Sequence, residues 1–175
     1  GWYNQAIAVD PLDANVVWVA GMEAYRSDDG GAHFGKASWW WQRRGEPGAL
    51  HADQYLLLFD PRFDGAANRR LFSSNDGGVA VLDDARATVV RGNAAVCAPN
   101  DGALAWRELN NGLGTTQFYT GAASADGTRY LGGLQDNGTV LNSSNGQDLG
   151  WREILGGDGA GVAIDPRNAQ VLYAS

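Results

Sequence analysis

Short apolar runs separated by clusters of Gly, Asp and Asn fill this chain, with the spacing of strands and tight turns. Residues 6–9 are apolar and stop at Asp10-Pro11; residues 16–20 and 23–27 follow, with Asp13, Asn15 and Gly21 between them. A fourth strand is predicted to start at Phe34, after a turn at residues 28–31. No long window carries the 3.6-residue apolar period of a helix. The pattern predicts an all-β chain.

The same arrangement recurs. Asp10, Asp60 and Asp165 each precede a proline, 50 and then 105 residues apart, and Trp106-Arg-Glu-Leu returns 45 residues later as Trp151-Arg-Glu-Ile. Four-stranded units of roughly 40–50 residues are the blades of a β-propeller. The predicted blades cover about residues 2–44, 51–109, 115–155 and a truncated 160–175, a single incomplete domain over 1–175 of about three and a half blades. Residues 85–102 form an insertion in the second unit. Propellers close with about four to eight blades. The chain does not begin with Met and its first residues already belong to a repeat, so it reads as a piece of a longer protein or a partner in a composite ring. Open blade edges predict self-association through terminal-strand residues such as Leu172 and Tyr173.

Composition narrows the chemistry. The net charge of −7 and the absence of a basic stripe argue against a nucleic-acid partner. A lone cysteine, Cys97, leaves no internal disulfide framework and no multi-cysteine metal site. No stretch is long and apolar enough to span a membrane.

Strand direction assigns the turns to two faces. The connections into each first strand bring Tyr3-Asn4-Gln5, His51-Ala52-Asp53-Gln54, Thr115-Thr116-Gln117 and Gly157-Asp158-Gly159 to one face, with the turns Asn75-Asp76-Gly77-Gly78 and Gln135-Asp136-Asn137-Gly138. The Asp-Pro turns and the hairpin around Asp29 fall on the other. The candidate catalytic residues are Asp53, Asp76, Asp136 and Asp158. The candidate ligand-binding residues are His51, Gln54, Gln117, Gln135, Asn137 and Trp40. Crowded carboxylates raise one another's pKa and so supply an acid and a base. Flanking a sugar bond, two of them hydrolyse it, their separation deciding inversion or retention. No cofactor or dedicated metal site is expected, although such oxygen ligands also suit Ca²⁺. Asp-Gly and Asn-Gly pairs are equally what a tight turn selects, so Asp76 and Asp136 carry both readings.

Trp39-Trp40-Trp41 leads into a long connection at residues 42–50. Neighbours in a strand point to opposite sides, so at least one of these rings is expected to pack between blades and one to offer a platform for a sugar. Gly156-Gly157-Asp158-Gly159 is followed by a strand, not a helix, so a phosphate loop is excluded. Asn137-Gly138-Thr139 and Asn142-Ser143-Ser144 match the glycosylation sequon.

Ser27-Asp28-Asp29-Gly30-Gly31-Ala32-His33-Phe34 fits S-x-D-x-G-x-x-F, and HADQYLLLFDP, LNNGLGTTQFY, GGLQDNGT and GGDGAGVAIDP extend the likeness over nearly the whole chain. These segments resemble the BNR/Asp-box repeat β-propellers, which include sialidase-like and glycosyl hydrolase-like proteins, sortilin-like receptors and photosystem assembly factors. The resemblance implies an Asp-box that is structural and a protein located outside the cell, in the periplasm or at the cell surface. It implies a carbohydrate-binding or glycoside-hydrolase-like function at the channel mouth, or a non-catalytic scaffold for a protein ligand. The Arg-Ile-Pro segment of sialidases is absent and no arginine falls in the mouth turns, so that arginine triad has no counterpart. The motifs around the catalytic aspartates of xyloglucan-cleaving relatives have no match either.

Overall fold

A computed structural model describes residues 3–89, 104–143 and 150–175. Cys97 and most of the 85–102 insertion lie outside the described residues. Within them every regular element is a strand, and no helix is long and apolar enough to cross a membrane. Three four-stranded antiparallel meanders and a two-stranded hairpin follow one another along the chain. The fold is therefore all-β, a partial β-propeller of about three and a half blades.

The chain divides into two compact units, Gly1–Gly114 and Thr115–Ser175. In the first, β1 (Ala6–Asp10), β2 (Asp13–Ala20), β3 (Ala24–Ser27) and β4 (Gly35–Lys36) form one sheet. A second sheet contains β5 (Gln54–Phe59), β6 (Leu71–Asn75), β7 (Gly78–Leu82) and β8 (Trp106–Glu108). The second unit contains the sheet of β9 (Phe118–Ala123), β10 (Tyr130–Leu134), β11 (Thr139–Asn142) and β12 (Arg152–Leu155), then the hairpin of β13 (Val162–Ile164) and β14 (Leu172–Ala174).

Period-two alternation builds the core of the first unit. Val16, Trp18 and Ala20 share one face of β2 and are buried against Leu57, Phe59, Leu71, Leu82 and Trp106 of the second sheet. Trp18 and Trp106 meet edge to face with centroids 6.1 Å apart, and the Trp106 indole N–H donates to the Ala37 carbonyl at 2.9 Å. Trp151 stands just before β12, as Trp106 stands at the start of β8, but it is 42% exposed. Of the two repeat indoles, Trp106 is buried and Trp151 is not. Trp106 enters the seam between two packed sheets, whereas Trp151 meets Phe118 edge-on across its own sheet, centroids 5.6 Å apart. Gly132 permits that contact, because a Cβ there would lie 2.0 Å from the Phe118 ring.

The repeated turns share one local chemistry. Asp10, Asp60 and Asp165 each accept the backbone N–H two residues on, at 2.8, 2.8 and 2.7 Å, from Leu12, Arg62 and Arg167. Proline at the intervening position pre-sets φ for the turn. Ser27 and Asp29 lock the hairpin between β3 and β4. Ser27 Oγ donates to Asp29 at 2.7 Å and accepts the Gly31 N–H at 2.9 Å, while Asp29 accepts the His33 N–H at 2.9 Å. Asp29 is thus a turn residue, its pKa pulled well below the usual carboxylate range, first by Ser27 and then by His33. Asn142, in the second sequon, is buried in β11, where the fold gives a glycan no access.

Candidate functional site

In the first unit, the connection into β5 is stitched to the β2–β3 turn. Asp53 donates its N–H to the Met22 carbonyl at 3.2 Å, and Gln54 donates to Gly21 at 2.7 Å. Asp53 is held at φ 64°, a left-handed conformation rare for side chains other than Asn and Asp. Its carboxylate accepts the side-chain amide of Asn4. Asp76 sits in the β6–β7 turn, which Asn75 closes by accepting the Gly77 N–H at 3.0 Å. The Tyr55 hydroxyl donates to Asp76, and the Tyr55 and Tyr3 rings lie 6.2 Å apart. Oxygens of Asp53 and Asp76 approach within 4.8 Å.

Burial pushes the Asp53 carboxyl above its ordinary value, and the Asp76 charge adds to the rise against the pull of Tyr3 and His51. The Tyr55 phenol is raised far above its normal range, chiefly because it donates to the Asp76 carboxylate. The unit therefore places a carboxyl that holds its proton more tightly than usual beside a second carboxylate oriented by a phenol. These two side chains are also the ones that this unit would turn toward a hard cation.

The flanking residues divide by role. Gln54 is fully buried: its amide donates to the His51 carbonyl, and its oxygen accepts from Ser73 at 2.5 Å and Asn75 at 3.2 Å. Its amide thus ties the loop at His51 to β6. His51 is half-buried, with its ring against Gly77, where a Cβ would lie 2.5 Å away.

Beside this edge lies a cluster that the sequence reading missed. Glu23 and Lys36 are both buried and 3.0 Å apart. Glu23 also accepts the Ser38 hydroxyl at 2.8 Å and the Trp40 N–H at 3.3 Å. Burial nevertheless leaves the Glu23 carboxyl raised above its ordinary value, outweighing Ser38 and Lys36. Trp39 is buried, while Trp40 and Trp41 are 50% and 48% exposed. The apolar neighbours Met22 and Ala24, bracketing one acidic residue, were the available signal.

The second unit gathers its own set. Asp136, at φ 54°, donates its N–H to the Asp158 carboxylate at 3.1 Å. Gln135 donates its N–H to the Gln117 carbonyl at 3.0 Å, and the Asn137 amide donates to the Gln135 carbonyl at 2.9 Å. Gly159 donates to the Leu134 carbonyl at 2.9 Å. This bond repeats the one from Gln54 to Gly21, so Asp158 and Asp53 occupy matching places in their repeats. The Tyr119 phenol is raised by burial and then by Asp158 and Asp136. Each unit thus places a tyrosine beside two aspartates.

No family model and no curated protein matches the chain. Solved structures do. A GH74 xyloglucanase from Xanthomonas campestris is 22% identical, the match covering 96% of this chain and 26% of that one, with a TM-score of 0.36. The Cps50 (Swd1) β-propeller domain from Myceliophteria thermophila is 13% identical, covering 98% and 50% with a TM-score of 0.30. YCF48 bound to D1 peptide is 14% identical, covering 98% and 60% with a TM-score of 0.30. The chain spans about a quarter of the length of the xyloglucanase.

Proposed function

We propose that this chain is part of an exported BNR/Asp-box-type propeller that binds carbohydrate and has the groups for glycoside hydrolysis. The pairing of Asp53 with Asp76 carries the reading. One carboxyl has its proton affinity raised by burial and its neighbour's charge, the other is oriented by Tyr55, and their oxygens lie within 4.8 Å. In this role Asp53 gives its proton to the glycosidic oxygen as that bond breaks, and Asp76 attacks the anomeric carbon. Water then releases the sugar, with Asp53 taking back a proton. Retention of this kind uses carboxyls about 5–5.5 Å apart, whereas an inverting pair stands about 6.5–9.5 Å apart to admit water. The Tyr119, Asp136 and Asp158 set gives the second unit polar groups of the same kind for a glycan of its own.

A non-catalytic scaffold is the second reading. Ile7 and Val9 on β1 and Leu56 and Leu58 on β5 are exposed, an apolar row of the kind that protein ligands cover. A glycan array combined with a hydrolysis screen on the full-length protein separates the two. The carbohydrate reading expects oligosaccharide binding that Asp53→Asn and Asp158→Asn abolish while the fold stays intact. Binding of protein ligands with no glycan retained would favour the scaffold.

A further inference from the structure

Trp40 and Trp41 meet at 89° with centroids 6.0 Å apart, forming a two-walled corner half open to solvent. Trp39 anchors its base, donating its backbone N–H to Gly48 at 2.8 Å and lying so close that a Cβ at position 48 would fall 2.6 Å from the ring. Behind the corner lies the Glu23–Lys36 pair. The Lys36 ammonium stands 4.1 Å from the Trp41 ring centre, and Glu23 holds the Trp40 amide. A buried ion pair stabilises a fold little compared with apolar residues of the same volume. This one orders the backbone of one indole and the ring of the next.

We propose that Trp40 and Trp41 form a stacking corner for an uncharged, β-linked pyranose chain, with Glu23 and Lys36 as its positioning residues. The inference rests on the carbohydrate reading above and names its ligand class. One face of Trp41 is already taken by an ammonium, so a cationic ligand gains little from the ring. Lys36 is buried and neutralised by Glu23, so it does not attract an anion. A pyranose with equatorial substituents presents a flat C–H face of the size of one indole. A stable protein interface needs about 800 Å² on each partner, far more than two rings supply. The corner joins the carboxylate edge through one turn, since Met22 accepts from Asp53 while adjacent Glu23 accepts from Trp40.

The test is a titration of the full-length protein with cellohexaose, read by calorimetry and tryptophan emission. Trp41→Ala is expected to weaken binding at least tenfold. Lys36→Met alone would leave Glu23 buried without its counter-charge, so the positioning role is tested in the Glu23→Gln/Lys36→Met double variant. That variant is expected to melt cooperatively, shift its tryptophan emission and bind three- to tenfold more weakly, with Lys36→Arg staying within twofold of wild type. Wild-type affinity in Trp41→Ala overturns the corner, and wild-type affinity in the folded double variant overturns the positioning role. If Trp41→Ala is silent while Asp53→Asn abolishes binding, the corner falls and the carbohydrate reading stands. If no oligosaccharide binds the wild type, that reading falls and this inference with it.

Discussion

Arg86 grips Asp10 with two bonds, Nε to Oδ2 at 2.7 Å and Nη2 to Oδ1 at 2.9 Å, across 76 residues of sequence. The pair joins the first turn of one sheet to the segment that follows β7 in the next. Burial works against the Asp10 charge, but Arg86 and the Leu12 amide outweigh it and lower its pKa. A carboxyl lowered in the folded state contributes stability above its unfolded pKa and loses it as pH falls through the folded value. Arg86→Ala, which leaves Asp10 buried without its partner, is expected to cost about 2–4 kcal/mol at pH 7. The difference from wild type should shrink below about pH 4 as Asp10 takes up a proton. Urea unfolding at both pH values measures it; a difference that grows in acid would refute the account.

The two repeat tryptophans should respond unequally to truncation. Trp106→Ala empties a buried seam beside Trp18 and orphans the Ala37 carbonyl, and is expected to cost about 3–5 kcal/mol. Trp151→Ala removes a half-exposed ring with one edge contact, at about 1 kcal/mol. Thermal melts of the two variants decide it, and equal losses would mean that Trp151 is buried as deeply as its repeat partner.

What was legible in the sequence was local. An aspartate before a proline closes its own turn, and a serine two residues before an aspartate ties its own hairpin, so Asp10, Asp60, Asp165 and Asp29 could be assigned from neighbours alone. The strand order followed from those turns. Burial set by distant packing was not legible. Gln54 stands one residue after Asp53 in a polar stretch, and only Ser73 and Asn75, brought alongside by β6, turn it inward. Trp151 carries the same motif as Trp106, but a motif does not specify what packs over it. Glu23 and Lys36, thirteen residues apart, look like two solvated charges until β3 and β4 pair across the hairpin.

Asp53 offers the sharpest separation of function from folding. Its backbone is left-handed, a conformation that Asn tolerates as well as Asp. Its pKa is raised by burial and by Asp76, so the folded state holds the proton more tightly than the unfolded chain. For such a carboxyl, folding is favoured most below the unfolded pKa and stability falls as pH rises through the folded value. At neutral pH the charge therefore opposes the fold. Asp53→Asn, which keeps the shape and removes that charge, is expected to melt at or above the wild-type temperature at pH 7, by no more than about 1 kcal/mol. Near pH 3 the wild-type carboxyl is itself protonated and the advantage should vanish. Thermal melts at the two pH values, paired with the oligosaccharide titration, give both readouts. A variant that keeps its stability and loses its ligand marks Asp53 as a residue kept for chemistry at the expense of the fold. A variant that melts well below wild type at pH 7 would instead make the carboxylate a structural part of the turn.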